Sequence, residues 1–475
     1  MSAFDIFDLF TVNFWNIVKE TIGVIKPIFS IVIWFVLAFI LAKFLFSFLH
    51  NWWLDEAQER FYDKEFNWIF LELKFPRNNE VFPKAMENVF SAFYQIYSFG
   101  IMPEKKYLAG QFEESAALEM VSSKEGIRFF IRVNKKYRTL FEKAIFSQYP
   151  ETEIVEANDY LSDFPADLPD SEYDILGTDL ILGKDSAYPL KTYSYFFGER
   201  KFEEYEIDPI SHLSEVMSGL KSSEERMCIQ IVISPSAGDL KDAVKKITKK
   251  ILKDKKEAEA KKGALESIAG TSAEFGKNLM MAAITHPEWE APAKPEAKKD
   301  EQLSPVDIEV LRNIDRKASK SAFKTSIRMI YIDKKASFDK TNFPAMMSSF
   351  QQFNTQHLNF LRPGPTFTKP SRFFRKKEIL DQRKHTMYRY YKARTIYPYS
   401  NVEDMFDNLR VSFMNLFKIE FLEIKYKKNL PEPFILNAEE LATLFHPPVN
   451  RKSQASGLAP VETKKTPPPV NLPIE

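Results

Sequence analysis

The stretch PIFSIVIWFVLAFILAKFLFSFL, from Pro27 to Leu49, constrains this chain more than any other feature. Only Lys43 interrupts it, and at about 1.5 Å per residue it exceeds the roughly 30 Å hydrocarbon core of a bilayer. It is apolar on every face, whereas a helix on the surface of a soluble domain confines its apolar side chains to one stripe. A single transmembrane helix over 27–50 is therefore predicted. Lys43 stands near the C-terminal end, where its ammonium reaches the headgroup layer, and Trp52 and Trp53 supply interfacial aromatics. A cleaved secretory signal would need a basic leader, a shorter apolar core and a small-residue cleavage site, none of which is found, so the segment reads as an uncleaved anchor. Residues 1–26 carry aromatics with Asp5 and Asp8 in a loosely amphipathic pattern suited to an interfacial helix. Lys19 and Lys26 before the span balance Arg60 and Lys64 after it, so charge does not orient it.

At 475 residues the chain has room for about three globular units. Its 66 Lys and Arg against 65 Asp and Glu exclude a uniformly basic surface, and 44% hydrophobic residues suffice for real cores. One cysteine and six histidines, without zinc spacing, predict neither a disulfide nor a metal site.

Beyond residue 65, period-2 and helical runs alternate. Strands are predicted at Trp68–Phe75, Ala116–Ser123, Ile127–Val133 and Thr152–Ala157, and helices at Pro83–Ser98 and Lys135–Tyr149. This is the βαββαβ order of a ferredoxin-like unit, spanning 66–158. The acidic stretch Asp159–Asp174 reads as a solvated linker. The pattern then restarts over 175–365, with strands at Leu190–Phe197, Met227–Ser234, Ala322–Ile332 and Leu358–Pro363 and helices at Pro209–Leu220 and Phe343–Asn354. A helical insertion, 239–318, separates its second and third strands. The expected fold class is thus α+β: an N-terminal transmembrane helix, then two tandem ferredoxin-like units, the second with a long helical insertion. A basic and aromatic region follows at 371–448, with a helix at Asn401–Phe417 and a strand in KIEFLEIKYK, then a flexible Pro-rich tail at 449–475.

No catalytic constellation is found. Gly177–Lys184 and Gly270–Lys277 each place five residues between their glycines, one too many for a phosphate-binding loop, and lack the following Ser or Thr. The histidines form no HExxH pair, and Cys228 sits in an apolar strand as a small core residue. No cofactor is expected. The segment with a functional look is 371–394, where Arg372, Arg375, Lys376, Lys377, Arg383, Lys384, Arg389, Lys392 and Arg394 interleave with Phe373, Phe374, Tyr388, Tyr390 and Tyr391. Cations neutralise phosphates and aromatics stack on bases, which suits single-stranded nucleic acid; anionic lipid and a plain solvated helix face stand beside that reading.

The layout also resembles the region preceding the motor in membrane-anchored conjugative DNA-transfer ATPases, the coupling proteins of type IV secretion. The likeness rests on the N-terminal span, WIFLELKFPR (Trp68–Arg77), PKAMENVF (Pro83–Phe90), LNAEELATLFHPP (Leu436–Pro448) and PPPVNLP (Pro467–Pro473). In such proteins the last two elements lead into a nucleotide-binding core, which the resemblance expects a separate chain to supply here. The resemblance implies a non-enzymatic scaffold whose bulk lies in the cytoplasm and which positions a separately encoded ATPase at the membrane. Leu436, Leu441, Leu444 and Phe445 would then be the apolar side of a docking helix. The expected partners are membrane lipid and that ATPase, with nucleic acid and a second copy of the chain as further options. The alternative function is a membrane-tethered nucleic-acid-binding protein using 371–394.

Overall fold

The computed structural model describes residues 3–65, 67–76, 78–96, 102–111, 114–123, 126–196, 208–222, 224–236, 240–249, 305–369, 376–396, 402, 405–406, 409 and 432–449. The chain divides into a helical unit, Met1–Glu65 with Met102–Phe112 and Tyr399–Tyr426, and a sheet unit made of Phe66–Ile101, Glu113–Pro398 and Lys427–Glu475.

In the helical unit, α1 runs unbroken from Ala3 to Glu65, 63 residues. The expected division at residue 26 is therefore no break in the backbone. Pro27 removes one donor, but the residues on both sides carry the helix past it. Within α1, Phe29–Phe61 is long and apolar enough to cross a membrane, with a mean hydropathy of 2.5 over its most apolar window and none of that window buried. A short helix, α3 (Pro103–Ala109), packs on α1 further along.

The sheet unit begins as the alternation predicts: β1 (Trp68–Lys74), α2 (Pro83–Phe93), β2 (Ala116–Ser123), β3 (Gly126–Asn134), α4 (Arg138–Gln148) and β4 (Glu153–Glu156). Then come β5 (Tyr173–Leu182), α5 (Tyr193–Phe196), α6 (Ser211–Ser218), β6 (Arg226–Ser236), α7 (240–249), α8 (Pro305–Ala318) and β7 (Ala322–Lys334). The last elements are α9 (Asn342–Ser348), β8 (Leu361–Pro363), α10 (Lys376–Ala393), β9 (Phe434–Asn437) and α11 (Ala438–Leu444).

The described strands form one nine-stranded sheet, ordered β4-β1-β3-β2-β6-β7-β5-β8, with β9 beside β7. Every pairing is antiparallel. The first four strands meet the rest at β2 and β6, where Ala117 faces Val232 and Met120 faces Ile229. Strand β7 is long enough to take two partners along one edge, β5 at Ile327–Lys334 and β9 at Ala322–Thr325.

Alternate residues of each strand point to opposite faces. One face, carrying Leu71, Leu118, Ile131, Ile229 and Met329, is covered by α2, α4, α6, α9 and α11. The other, carrying Phe70, Val121, Phe130, Cys228, Ile330 and Ile332, is covered by α10 and by Tyr160–Leu168. A smaller cluster joins α7 and α8 through Leu240, Val244, Ile247, Val310 and Ile314.

Two expectations are corrected. The first strand of the second half is Tyr173–Leu182, not Leu190–Phe197, whose Tyr193–Phe196 is the one-turn helix α5. Asp159–Asp174 is no solvated linker: Tyr160–Asp163 forms a 3-10 turn, and Tyr160, Leu161 and Leu168 are buried. The predicted helix Asn401–Phe417 is described only at Val402, Met405, Phe406 and Leu409. The strand in KIEFLEIKYK, the tail 450–475 and most of the insertion, 250–304, lie outside the described residues.

Candidate functional site

Beneath α10 a row of polar side chains crosses four neighbouring strands. Glu119 of β2 faces Gln230 of β6, Gln230 faces Arg328 of β7, and Arg328 faces Asp179 of β5. All four are buried. Gln230 Nε2 donates to Glu119 Oε1 at 2.8 Å, Arg328 Nη1 donates to Gln230 Oε1 at 2.8 Å, and Arg328 Nε lies 3.3 Å from Asp179 Oδ1. A buried polar group without a partner is costly, so such a ladder holds only if something closes its open side.

Helix α10 and the residues just after it close it. Arg394, 4% exposed, donates Nε and Nη2 to Glu119 at 2.7 and 3.2 Å, and Nη1 and Nη2 to Asp159 at 2.5 and 2.8 Å. Its guanidinium also lies 5.0 Å from the Phe70 ring centroid. The backbone at Arg394 is left-handed, φ 54°, which ends α10 and turns the side chain inward. Gln230 Nε2 donates to the Tyr391 carbonyl at 2.9 Å and Arg328 Nη2 to the Thr395 carbonyl at 2.5 Å, so two backbone oxygens at the helix end are also held. Lys384 Nζ pairs with Asp174 Oδ1 at 2.5 Å, and the Tyr160 and Tyr391 hydroxyls share a 2.6 Å hydrogen bond. At Gly177 of β5 an added Cβ would stand 2.8 Å from Met387 Cγ, so glycine lets the helix approach.

Burial opposes ionisation of Asp159, but Arg394 outweighs it and holds the carboxyl below its usual range. Asp179 is pushed the other way by burial, against Arg328 and the Thr366 hydroxyl. Burial drives the Cys228 thiol up to about 12, which suppresses the thiolate and fits the core role expected of it.

The basic segment is thus split. Lys384 and Arg394 point into the core, Arg383 donates to the Lys369 carbonyl, and Lys376, Lys377, Arg389 and Lys392 are exposed. Tyr388, Tyr390 and Tyr391 are buried and have no face left for stacking on a base. Arg372, Arg375, Phe373 and Phe374 lie outside the described residues. Gly177–Leu182 belongs to β5, paired with β7 as far as Leu180 and with β8 from Leu180 on, so it makes no phosphate-binding loop; Gly270–Lys277 lies outside the described residues.

On the opposite face α11 is locked by a second polar set. Asn437 accepts from the Glu440 N–H at 2.9 Å while Glu440 Oε2 accepts from the Asn437 N–H at 2.9 Å, a capping box. Glu440 also takes the Leu190 N–H at 2.8 Å and Lys317 Nζ at 3.0 Å, both charges fully buried. Burial pushes Lys317 below its ordinary value, opposed by Glu440. Glu439 accepts from Arg316 at 2.9 Å and Lys320 at 2.7 Å. Past the helix, His446 sets Nδ1 2.7 Å from the Ala442 carbonyl and Nε2 2.8 Å from Asp208, whose other oxygen accepts from the Val449 N–H at 2.6 Å. Burial works against the Asp208 carboxylate, yet His446 and the backbone donors hold its carboxyl below the usual range.

Leu436, Leu441, Leu444 and Phe445, expected to face a partner, are all buried in the sheet unit's own core. This corrects the docking side: the apolar stripe is occupied by β7 and α2, with Phe445 edge-on to Phe90 and Phe129. Sequence reasoning missed Glu439, Glu440, His446 and the ladder. The Asn437-x-x-Glu440 spacing was a readable cap; Glu119, Gln230 and Asp179 left no local signal.

No curated protein matches the chain. Residues 53–398, from the end of α1 through the strap helix α10 to just past Arg394, match the model of a domain of unknown function, DUF8128, and the chain belongs to that family.

Proposed function

We propose that this chain is a single-span membrane scaffold of a type IV secretion or conjugation-like DNA-transfer machine, its bulk in the cytoplasm, positioning a separately encoded ATPase. The observation that carries the reading is α1. An apolar window of mean hydropathy 2.5 with no part buried supports lipid around it, because leaving that surface in water costs roughly 25 cal/mol for every Å². The sheet unit supports a positioning role, since the charges of its most polar segments fix α10 and α11 in place. Strand orders β4-β1-β3-β2 and β8-β5-β7-β6 are what two ferredoxin-like units joined at β2 and β6 would have, which supports a duplicated platform. The likeness of Trp68–Arg77 and Leu436–Pro448 to conjugative coupling proteins supplies the machine.

The test is cross-linking of the full chain in its native membrane, with mass-spectrometric identification of what is captured. Resistance to alkaline carbonate and recovery of an ATPase carrying a phosphate-binding loop are expected. Carbonate extraction would remove the anchor, and ATP turnover by the purified chain alone would end the adaptor role.

A further inference from the structure

We propose that residues 102–110, centred on α3, are a lipid-binding foot that lies in the headgroup layer beside the point where α1 leaves the bilayer. This rests on reading α1 as a span. The apolar run ends at Leu49, and α3 is fixed to α1 just beyond it. Trp53 Nε1 donates to the Tyr107 carbonyl at 2.8 Å, and the His50 and Tyr107 rings lie 5.1 Å apart. Gly110, at φ 68°, presses on the next turn: an added Cβ would fall 2.0 Å from the Ala57 carbonyl oxygen, so only glycine fits. The foot therefore has a set height on the helix.

Helix α3 shows large apolar side chains outward, beside one exposed acid and one exposed base, Glu104 and Lys105. Met102 is 65% exposed and Leu108 69%, with Tyr107 at 38% and Trp52 and Trp53 of α1 at 54% and 47%. One exposed leucine needs no explanation, but this group continues the exposed apolar surface of α1. The mixture suits an interface between acyl chains and headgroups. Met and Leu enter the acyl boundary, Trp and Tyr carry a polar edge on an apolar ring, and the exposed Lys105 reaches lipid phosphates. The occupant is the bilayer rather than a protein, because the patch continues the exposed flank of α1, where Phe35, Phe39 and Phe46 are open, while the flank at Phe44 and Phe48 is already met by Phe406 of the same chain.

The test places a polarity-sensitive thiol-reactive fluorophore on the full chain in phosphatidylcholine–phosphatidylglycerol vesicles whose acyl chains carry a nitroxide near the headgroup. Sites are Leu108→Cys and, as a second probe of the foot, Met102→Cys. Phe39→Cys reports the span and Lys221→Cys the exposed sheet unit. The native Cys228 is buried, so the unsubstituted chain is the labelling blank. Quenching at 102 and 108 several-fold stronger than at 221, and comparable to that at 39, is expected. Quenching at 39 alone removes the foot and leaves the span. A blue-shifted but unquenched probe at 108 puts a protein there and overturns the lipid assignment. No quenching at 39 removes the membrane reading beneath it.

Discussion

The two faces of the sheet are closed in opposite ways. Five helices cover one face with an apolar core, and its ion pairs sit around α11 and β9. One helix covers the other, and the middle of that face is a polar row, Glu119, Gln230, Arg328 and Asp179, lying across the junction of β2 and β6. Apolar packing tolerates small shifts of a helix, because its free energy depends on area rather than direction. A hydrogen-bonded ladder does not. The polar face thus fixes where α10 ends, and the fixed point is Arg394.

The sharpest way to break this contrast is Arg394→Met in the full chain, held in detergent. It strands the buried Glu119 carboxylate and unpairs the half-exposed Asp159, and removing one partner of a buried ion pair such as Arg394–Glu119 costs about 4 kcal/mol. The urea midpoint should drop accordingly, and adding Glu119→Gln should restore part of it. A drop no larger than that of a surface substitution would show that the ladder does not hold α10. On the apolar face Leu441→Ala should cost about 3 kcal/mol by the same measure, as a leucine lost from a filled core does. There a second substitution at Phe141, on α4, should couple less with the first than Glu119 does with Arg394, which it meets directly.

How much of this was legible follows the same division. The apolar run of α1 and strands β1 to β4 were readable because their side chains alternate with the period of the structure they form. Strand β5 was not, since Gly177 and Asp179 break its alternation, and those are the residues that admit Met387 and meet Arg328. The run LKTYSYFF alternates better, yet its Thr192 and Tyr193 serve α11 through Glu439 and Thr443. Lys384 and Arg394 were read as surface because isolated charges belong in water; their partners, Asp174, Glu119 and Asp159, are remote in sequence. The stripe on α11 was correctly apolar, but periodicity does not say whether the covering surface is a partner or the same chain.

A third effect, on the order of 1–2 kcal/mol, is titration. Asp159 on the polar face, and Asp208 and Glu87 on the other, have folded pKa values below their ordinary ones. Such groups stabilise the fold above the unfolded value, about pH 4, and lose that contribution as pH falls through the folded value. The urea midpoint should therefore fall between pH 5 and pH 3. Asp208→Asn should flatten that fall while lowering the midpoint at pH 7, and an unchanged slope would mean that the His446 contact carries no linkage.

The smallest expected change in stability comes from the outward side of α10, and it separates two uses of one basic segment. Lys376, Lys377 and Arg389 are exposed, and replacing all three with serine should move the urea midpoint by no more than about 0.5 kcal/mol each. With Tyr388, Tyr390 and Tyr391 buried, any nucleic acid they meet is held through phosphates alone, so affinity must fall steeply with salt and ignore base identity. Fluorescence anisotropy of a labelled single strand, titrated with salt against the full chain and the triple variant, reads both. Salt-sensitive binding lost in the variant at unchanged stability would give the outward cations a ligand of their own. Equal anisotropy in both chains would leave α10 as a strap, whose two inward cations are the ones that matter.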